Sequence, residues 1–270
     1  MTRLKLLDTV TGEIRDLDGY TLRHRNQDEA YKRIKDREGR KSDFTFGNML
    51  NMPEVIAKID DKYCGYLLYL QTFIDYEGVL VKPNREREPM TKDDIKDVLG
   101  LQKTAFYEFF NAMIDNEIMF EEADRYRINP LYHFKGTTDN KFVIKTFTAK
   151  VRQLYSPRNA NKLGFIYKLL PFVHLETNTV CANPFEPDVE QIKELSKQEI
   201  AELTGVSEKT VYNYLRKMKL GDEYVFAEIR CGNYRYYKLN PFIFYRKNGA
   251  PDATLREMFR RGFSKRKSYR

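Results

Sequence analysis

Three features of the 270-residue sequence predict a mainly α-helical chain with small β-hairpins, an α+β fold class. Residues 195–218 contain two amphipathic helix patterns separated by a glycine. A hairpin pattern with interleaved basic and aromatic residues follows at 228–238. The same succession occurs once before, so the sequence predicts two tandem units of one fold behind an N-terminal arm.

Residues 195–218 have the start and stop signals of a helix pair. Ser196 with Glu199 three residues later is the capping-box spacing. Gly205 is a candidate left-handed helix end, and Ser207 can cap a second helix. Apolar residues that we expect to be buried follow at helical spacing: Ile200, Leu203, Val206, Val211, Leu215 and Met218. The stretch therefore predicts a helix-turn-helix.

The opposite face of the second helix is polar and cationic. Its side chains suit contacts with base edges and phosphates in a DNA major groove. They are Ser207, Glu208, Lys209, Thr210, Tyr212, Asn213, Arg216 and Lys217. We expect the residues near the helix start to contact bases, and Arg216 and Lys217 to contact phosphates. The alternative is an ordinary amphipathic helix pair with a solvated polar face.

The second hairpin is a candidate DNA-contacting wing. Gly232 and Asn233 supply the chemistry of a tight turn. Arg230, Arg235 and Lys238 flank this turn, with Tyr234 and Tyr236 between them, a combination that suits a sugar-phosphate backbone. The alternative is a plain surface hairpin.

The earlier unit has the same order of elements. Thr91 and Asp94 are predicted to open one helix, and residues 102–114 to form the next, with Gln102, Lys103, Thr104 and Tyr107 as candidate DNA contacts. The other predicted elements are helices at 53–60 and 63–76 and strands at 79–81, 118–121 and 125–128. This order of helix, strand, helix, helix and hairpin is that of a winged helix. Its hairpin contains Arg125 and Arg127 but also Glu121, Glu122 and Asp124, and is less clearly a DNA element.

Residue-by-residue matches support the tandem prediction. At an offset of 105, Ile95 matches Ile200 and Gly100 matches Gly205. Residues 65–78 match 164–177 at an offset of 99, and residues 126–130 match 237–241 at an offset of 111. The increasing offset places the insertions in loops. We therefore expect two winged helix-turn-helix domains that share a fold.

The predicted organisation has five segments, and residues 141–154 of its linker could form a helix. The arm contains a hairpin, with strands near 3–9 and 13–17, a polar helix at 26–38 and a connector at 42–52. The many basic residues of the arm are compatible either with a solvent-exposed surface or with contacts to a DNA backbone. The same alternatives apply to the basic residues of the tail. The segments are a basic N-terminal arm (1–52), a first winged helix (53–136), a linker (137–160), a second winged helix (161–249) and a basic tail (250–270).

Composition indicates a basic cytoplasmic protein. The net charge of +8 and the pI of about 9.1 suit a polyanionic partner such as nucleic acid. Cys64, Cys181 and Cys231 match no zinc or disulfide pattern, and we expect them to be small buried residues. No signal peptide and no apolar run of membrane-spanning length is present, so no membrane association is expected.

Enzyme activity is not expected from the sequence. His24, His133 and His174 are widely spaced and form no metal-binding pair, and no glycine-rich phosphate loop with a following Lys-Ser or Lys-Thr occurs. We therefore predict no metal, cofactor or small-molecule ligand.

The helix-turn-helix, the hairpin wing and a closing IN-P…F-K-G element together resemble RepL-type plasmid and phage replication proteins. The element is YRINPLYHFKG at 126–136 and, more loosely, YKLNPFIFYRKNG at 237–249. The duplication also resembles the two-winged-helix initiators of iteron plasmids, in architecture only. The resemblance implies specific binding to duplex DNA, often as dimers or on repeated sites.

Two classes of function follow from the sequence. The first is a sequence-specific double-stranded DNA-binding protein of a phage or plasmid, acting as a replication initiator or a transcription regulator, with homodimerisation left open. The second is a winged-helix protein-protein interaction module without specific DNA binding, which the acidic first hairpin favours.

Overall fold

A computed structural model describes residues 5–7, 14–16, 43–249 except 124 and 233, 251, and 257–259. The chain forms two compact units, residues 1–42 and 43–270. In the first unit, β1 (Lys5–Leu7) and β2 (Ile14–Asp16) pair antiparallel, which confirms the predicted hairpin. The helix predicted at 26–38, the basic residues of the arm and most of the tail lie outside the described residues.

The second unit contains one series of elements twice, with two additional short strands in the second copy, in a mixed α+β arrangement. We name residues 43–136 repeat 1 and residues 142–249 repeat 2. Repeat 1 contains β3 (Phe44–Asn48), α1 (Met52–Lys58), α2 (Asp61–Leu70), α3 (Lys92–Leu99), α4 (Lys103–Asp115), β4 (Met119–Glu122), β5 (Arg125–Ile128) and β6 (His133–Phe134). Repeat 2 contains β7 (Val143–Phe147), α5 (Thr148–Leu154), α6 (Ala160–Leu169), α7 (Lys197–Thr204), α8 (Glu208–Lys217), β8 (Lys219–Leu220), β9 (Glu223–Tyr224), β10 (Phe226–Cys231), β11 (Tyr234–Leu239) and β12 (Phe244–Tyr245).

The helix pairs begin and turn where the sequence predicts. Helices α3 and α7 each start with a complete capping box, Thr91 with Asp94 and Ser196 with Glu199. Both end at a left-handed glycine, with φ of +62° at Gly100 and +69° at Gly205. Only glycine adopts this conformation without strain, so it sets the direction of the next helix in both repeats. The helices predicted at 102–114 and 207–218 are confirmed as α4 and α8.

A four-stranded sheet in the order β6-β3-β7-β12 joins the repeats. The central strands β3 and β7 are antiparallel, with Phe46 opposite Lys145, two residues that correspond at the offset of 99. The offset of 99 relates Phe44 to Val143 and Asn48 to Phe147. Exchanging the repeats therefore turns the pair Phe44–Phe147 into the pair Val143–Asn48, and both pairs are present in the sheet. The backbone pairing therefore has a local twofold axis at Phe46 and Lys145.

The outer strands obey the same symmetry. Gly47 of β3 pairs with His133 of β6, and the corresponding Thr146 of β7 pairs with Phe244 of β12. Residues 133 and 244 correspond at the offset of 111 that the sequence indicates for this part of the chain. The symmetry thus extends across all four strands.

Helices α2 and α6 cross at two corresponding glycines. A Cβ atom at Gly65 would lie 1.9 Å from the carbonyl oxygen of Ala160, and a Cβ atom at Gly164 would lie 1.8 Å from that of Asp61. The offset of 99 relates Gly65 to Gly164 and Asp61 to Ala160. Exchanging the repeats therefore turns one contact into the other, as it does for the strand pairs. The absent side chains let the helix backbones touch, and one hydrophobic core continues through both repeats.

Three predicted elements are corrected. The connector at 42–52 contains strand β3, and the linker at 137–160 contains strand β7, with its helix starting at Thr148 rather than at 141. The helix predicted at 63–76 ends at Leu70 and continues as a 3-10 turn, Gln71–Phe73. Strands β3 and β7 are central and have little alternation, and each has its main partner about 100 residues away, so no local pattern reveals them.

The segment predicted as a strand at 79–81 forms only isolated bridges. Val79 lies opposite Arg127 of β5, and Thr179 lies opposite Lys238 of β11. Each bridge attaches the hairpin of its repeat to the chain that precedes the helix pair. In the part of the chain that the structure describes, no helix is long and apolar enough to cross a membrane.

Candidate nucleic-acid interface

Helix α8 buries one face and exposes the other, as expected. Val211 and Leu215 are fully buried, and Met218 is nearly so. Lys209, Tyr212 and Lys217 are exposed on the other side. The side-chain pattern of the sequence thus places a cationic, hydrogen-bonding surface on this helix.

The predicted buried face is wrong at Leu203, and Val206 is only half-buried. Leu203 of α7 is 38% exposed, and Thr204 is buried in its place. The Thr204 hydroxyl donates a 2.7 Å hydrogen bond to the carbonyl of Ile200, so burial leaves it satisfied. The residue of repeat 1 that corresponds to Thr204 is Leu99, which is also buried. This position therefore faces the core in both repeats.

The start of α8 is held by its own side chains. The Ser207 hydroxyl accepts from the Thr210 amide at 3.4 Å, and the two hydroxyls lie 3.0 Å apart. The side-chain amide of Asn213 donates a hydrogen bond to the backbone carbonyl of Lys209 at 2.9 Å. These bonds fix the side chains that the sequence assigns to base contacts.

Tyr212 and Arg216 form one paired surface group on α8. The Arg216 guanidinium donates to the Tyr212 hydroxyl and lies 5.0 Å from the centre of its ring. Residues four apart share a helix face, so the pair presents a cation and an aromatic ring together.

The hairpin of repeat 2 is less cationic than its sequence suggests. Arg230 and Arg235 face each other across β10 and β11, and both approach the carboxylate of Glu228, at 2.7 Å and 3.8 Å. Lys238 is half-buried, and this burial lowers its pKa, so it is not an open surface cation. Asn233 lies outside the described residues. One carboxylate thus offsets part of the charge predicted for this wing.

The corresponding surface of repeat 1 is mixed in charge. Gln102, Lys103, Thr104 and Tyr107 on and next to α4 are exposed, as expected for contact residues. In the hairpin, Arg127 is bound to Glu122 at 2.9 Å and to the carbonyl of Glu77. Its guanidinium is therefore committed to the protein.

Additional cations lie beside these predicted residues. The Lys92 ammonium lies 4.7 Å from the centre of the Tyr107 ring and 4.0 Å from that of Phe110. In repeat 2, an open cavity of about 220 Å³ is lined by Lys162, Asn213, Tyr214, Lys217 and Met218. The sequence gives no signal for Lys162, because its proximity to α8 depends on how α6 packs.

Cys64, Cys181, His133 and His174 are buried in the second unit. Cys64 and Cys181 are buried, which raises the pKa of each thiol to about 12, whereas Cys231 is exposed, contrary to expectation. Burial lowers the pKa of His133 to about 3, and its ring lies 2.8 Å from the Tyr167 hydroxyl. Within the described ranges, no group of three or more His, Cys, Asp or Glu residues could hold a metal ion.

No protein-family model, no curated protein and no solved structure matches this chain.

Proposed function

We propose that this chain is a sequence-specific double-stranded DNA-binding protein of a phage or plasmid, and that each repeat is a winged helix-turn-helix domain. The observation that carries the proposal is the pair of helices α4 and α8, each with an exposed polar face and each following a capped helix and a left-handed glycine. This is the arrangement in which the second helix enters the major groove. The paired hairpins would then serve as wings.

The local twofold axis supports a specific mode of binding. Two recognition helices related by a twofold axis match two half-sites in inverted orientation, as in symmetric dimers on palindromic operators. Here a single chain contains both helices. We therefore propose that one chain contacts an inverted pair of half-sites, and that these differ in sequence because the two helices differ.

The proposed DNA-binding activity would serve either replication initiation or transcription regulation. In both roles we propose that the protein acts in the cytoplasm. An array of short direct repeats beside the coding sequence favours initiation, whereas a divergent promoter favours regulation. The resemblance of the IN-P element to RepL-type proteins also favours replication.

A second function, binding of a protein partner by repeat 1, is favoured by its surface. Glu108 and Asp115 lie on α4, and the hairpin cation Arg127 is paired with Glu122. Such a face repels a phosphate backbone, since like charges oppose contact.

The test is selection of bound fragments from the DNA of the source organism, followed by sequencing. We expect the enriched fragments to share an inverted, unequal pair of half-sites. Fragments without a common sequence would contradict specific binding, and no retained DNA at low salt would contradict DNA binding altogether.

A further inference from the structure

We infer that Lys162, Asn213 and Lys217 form a binding site for one phosphate group of the DNA backbone. We name this open cavity the α6–α8 notch; it is the 220 Å³ cavity that these three residues line with Tyr214 and Met218. The inference rests on the proposed function and deepens it, because it assigns a DNA contact to helix α6.

The notch is built by two helices that pack rigidly. The rings of Phe165 on α6 and Tyr214 on α8 meet edge to face at 5.2 Å. Phe165 is fully buried, and Met218 is nearly so. Lys162 from the first turn of α6 and Lys217 from the last turn of α8 therefore border the same space. Its volume exceeds that of several water molecules, so a phosphate group fits.

The two lysines keep their charge available for an anion. Neither Lys162 nor Lys217 forms an ion pair with any residue that the structure describes, and both are exposed. Nearby lysines differ, since Lys168 is paired with Asp61, and Lys197 with Glu208 at 2.7 Å. Two ammonium groups and an amide around one space are suitable donors for phosphate oxygens.

Repeat 1 lacks this chemistry at the corresponding positions. The offsets of 99 and 105 make Tyr63, Glu108 and Ala112 the counterparts of Lys162, Asn213 and Lys217. Burial and the nearby Glu108 carboxylate raise the pKa of Tyr63, so a negative charge lies near this tyrosine. A phosphate would meet a negative charge in repeat 1 and two positive charges in repeat 2. The common fold therefore does not require the lysines, and we assign them to ligand binding.

The experiment measures how the affinity for duplex DNA falls with salt, because each neutralised phosphate adds about 0.9 to the slope of log affinity against log salt concentration. The proteins are full-length wild type, Lys162→Ala, Lys217→Ala, the double variant, and Lys193→Ala as a charge-matched control. Lys193 is exposed and lies outside the notch.

We expect each notch variant to reduce the slope by up to about 1, on specific and random duplexes alike. If both lysines hold one phosphate, the double variant also reduces it by about 1, not about 2. The control should keep the wild-type slope.

Other outcomes overturn the inference. A Lys162→Ala slope equal to that of wild type, or a double variant that reduces the slope by about 2, would remove the shared phosphate while leaving DNA binding intact. If wild type binds no duplex, the proposed function itself fails. Saturable binding of inorganic phosphate without DNA, abolished in both single variants, would identify a free-phosphate site instead.

Discussion

Repeats 1 and 2 keep the same backbone pairing but have different surfaces. Asn129 and Asn240 show what is kept: each side-chain amide donates to a carbonyl beside its hairpin, that of Glu117 at 2.8 Å or of Tyr224 at 2.9 Å. Each carboxamide oxygen also accepts an amide two residues later. The asparagine of the IN-P element thus ties the two ends of each hairpin together. The shared motif has a structural reason that is independent of DNA.

Two pairs of corresponding positions show what differs between the repeats. Position 108 in α4 is Glu, and its counterpart 213 in α8 is Asn; position 63 is Tyr, and its counterpart 162 is Lys. These residues lie on the exposed or half-exposed sides of equivalent helices. The repeated fold thus keeps its turns, glycines and asparagine ties, while the charge of each candidate binding face differs between the repeats.

The glycine crossing provides the largest expected effect. Gly65→Ala and Gly164→Ala each place a methyl group against a backbone carbonyl that cannot move aside. Each should lower the free energy of unfolding by about 3 kcal/mol or more, at the upper end for overpacking. Chemical denaturation of both variants measures this.

The control is Gly205→Ala, where no atom lies within 4 Å and only the left-handed backbone resists the change. It should cost about 1 kcal/mol. Near-equal losses at Gly65 and Gly164 support the twofold packing, and a large loss at only one of them would contradict it.

The pH dependence of stability should arise from repeat 1 through His133. Its pKa is lowered from 6.5 to about 3 by burial. Between these values the unfolded chain binds a proton that the folded chain does not, so the free energy of unfolding falls as pH falls from about 6.5. The slope approaches about 1.4 kcal/mol per pH unit. Denaturation between pH 5 and 7 measures it.

Repeat 2 itself supplies the matched control. Its residue at the position of His133 is Phe244, and the residue of repeat 1 at the position of Tyr167 is Leu68. The double variant His133→Phe with Tyr167→Phe therefore removes both partners of the hydrogen bond and should flatten the profile above pH 5. A profile that keeps its slope would assign the dependence to other groups.

The contrast between α8 and α4 should appear in base recognition. On a selected site, Asn213→Ala should cost about 1–3 kcal/mol and relax one base position if Asn213 contacts a base. If Asn213 instead binds the phosphate in the notch, Asn213→Ala lowers the affinity for specific and for random DNA by the same factor. Binding of both duplexes at one salt concentration separates the two, and Thr104→Ala in repeat 1 is the comparison. No change with either duplex would exclude Asn213 from the interface.

The asparagine ties should give the smallest effects, and equal ones. Asn129→Ala and Asn240→Ala each leave a partly buried carbonyl without its donor, at a cost of about 1–2 kcal/mol. Thermal unfolding compares them. A substantially larger loss at one position would mean that the two hairpins are not held in the same way.

The local features of this protein can be predicted from short stretches of its sequence. Capping boxes at Thr91 and Ser196, glycines at 100 and 205, and apolar spacing in α4 and α8 act over a few residues, so their signals are contiguous in the chain. The offsets of 99, 105 and 111 are also sequence properties, and the strand pairs and bridges follow them closely.

The contacts that join the two repeats depend on long-range packing and cannot be predicted from local sequence. Strands β3 and β7 are buried between other strands, so they lack the alternation that marks a half-exposed strand, and each becomes recognisable only when paired with the other. The roles of Gly65 and Gly164 depend on a second helix about 100 residues away. Lys162 approaches Lys217 for the same reason: helix packing, which no local pattern encodes, brings the two charges to one notch.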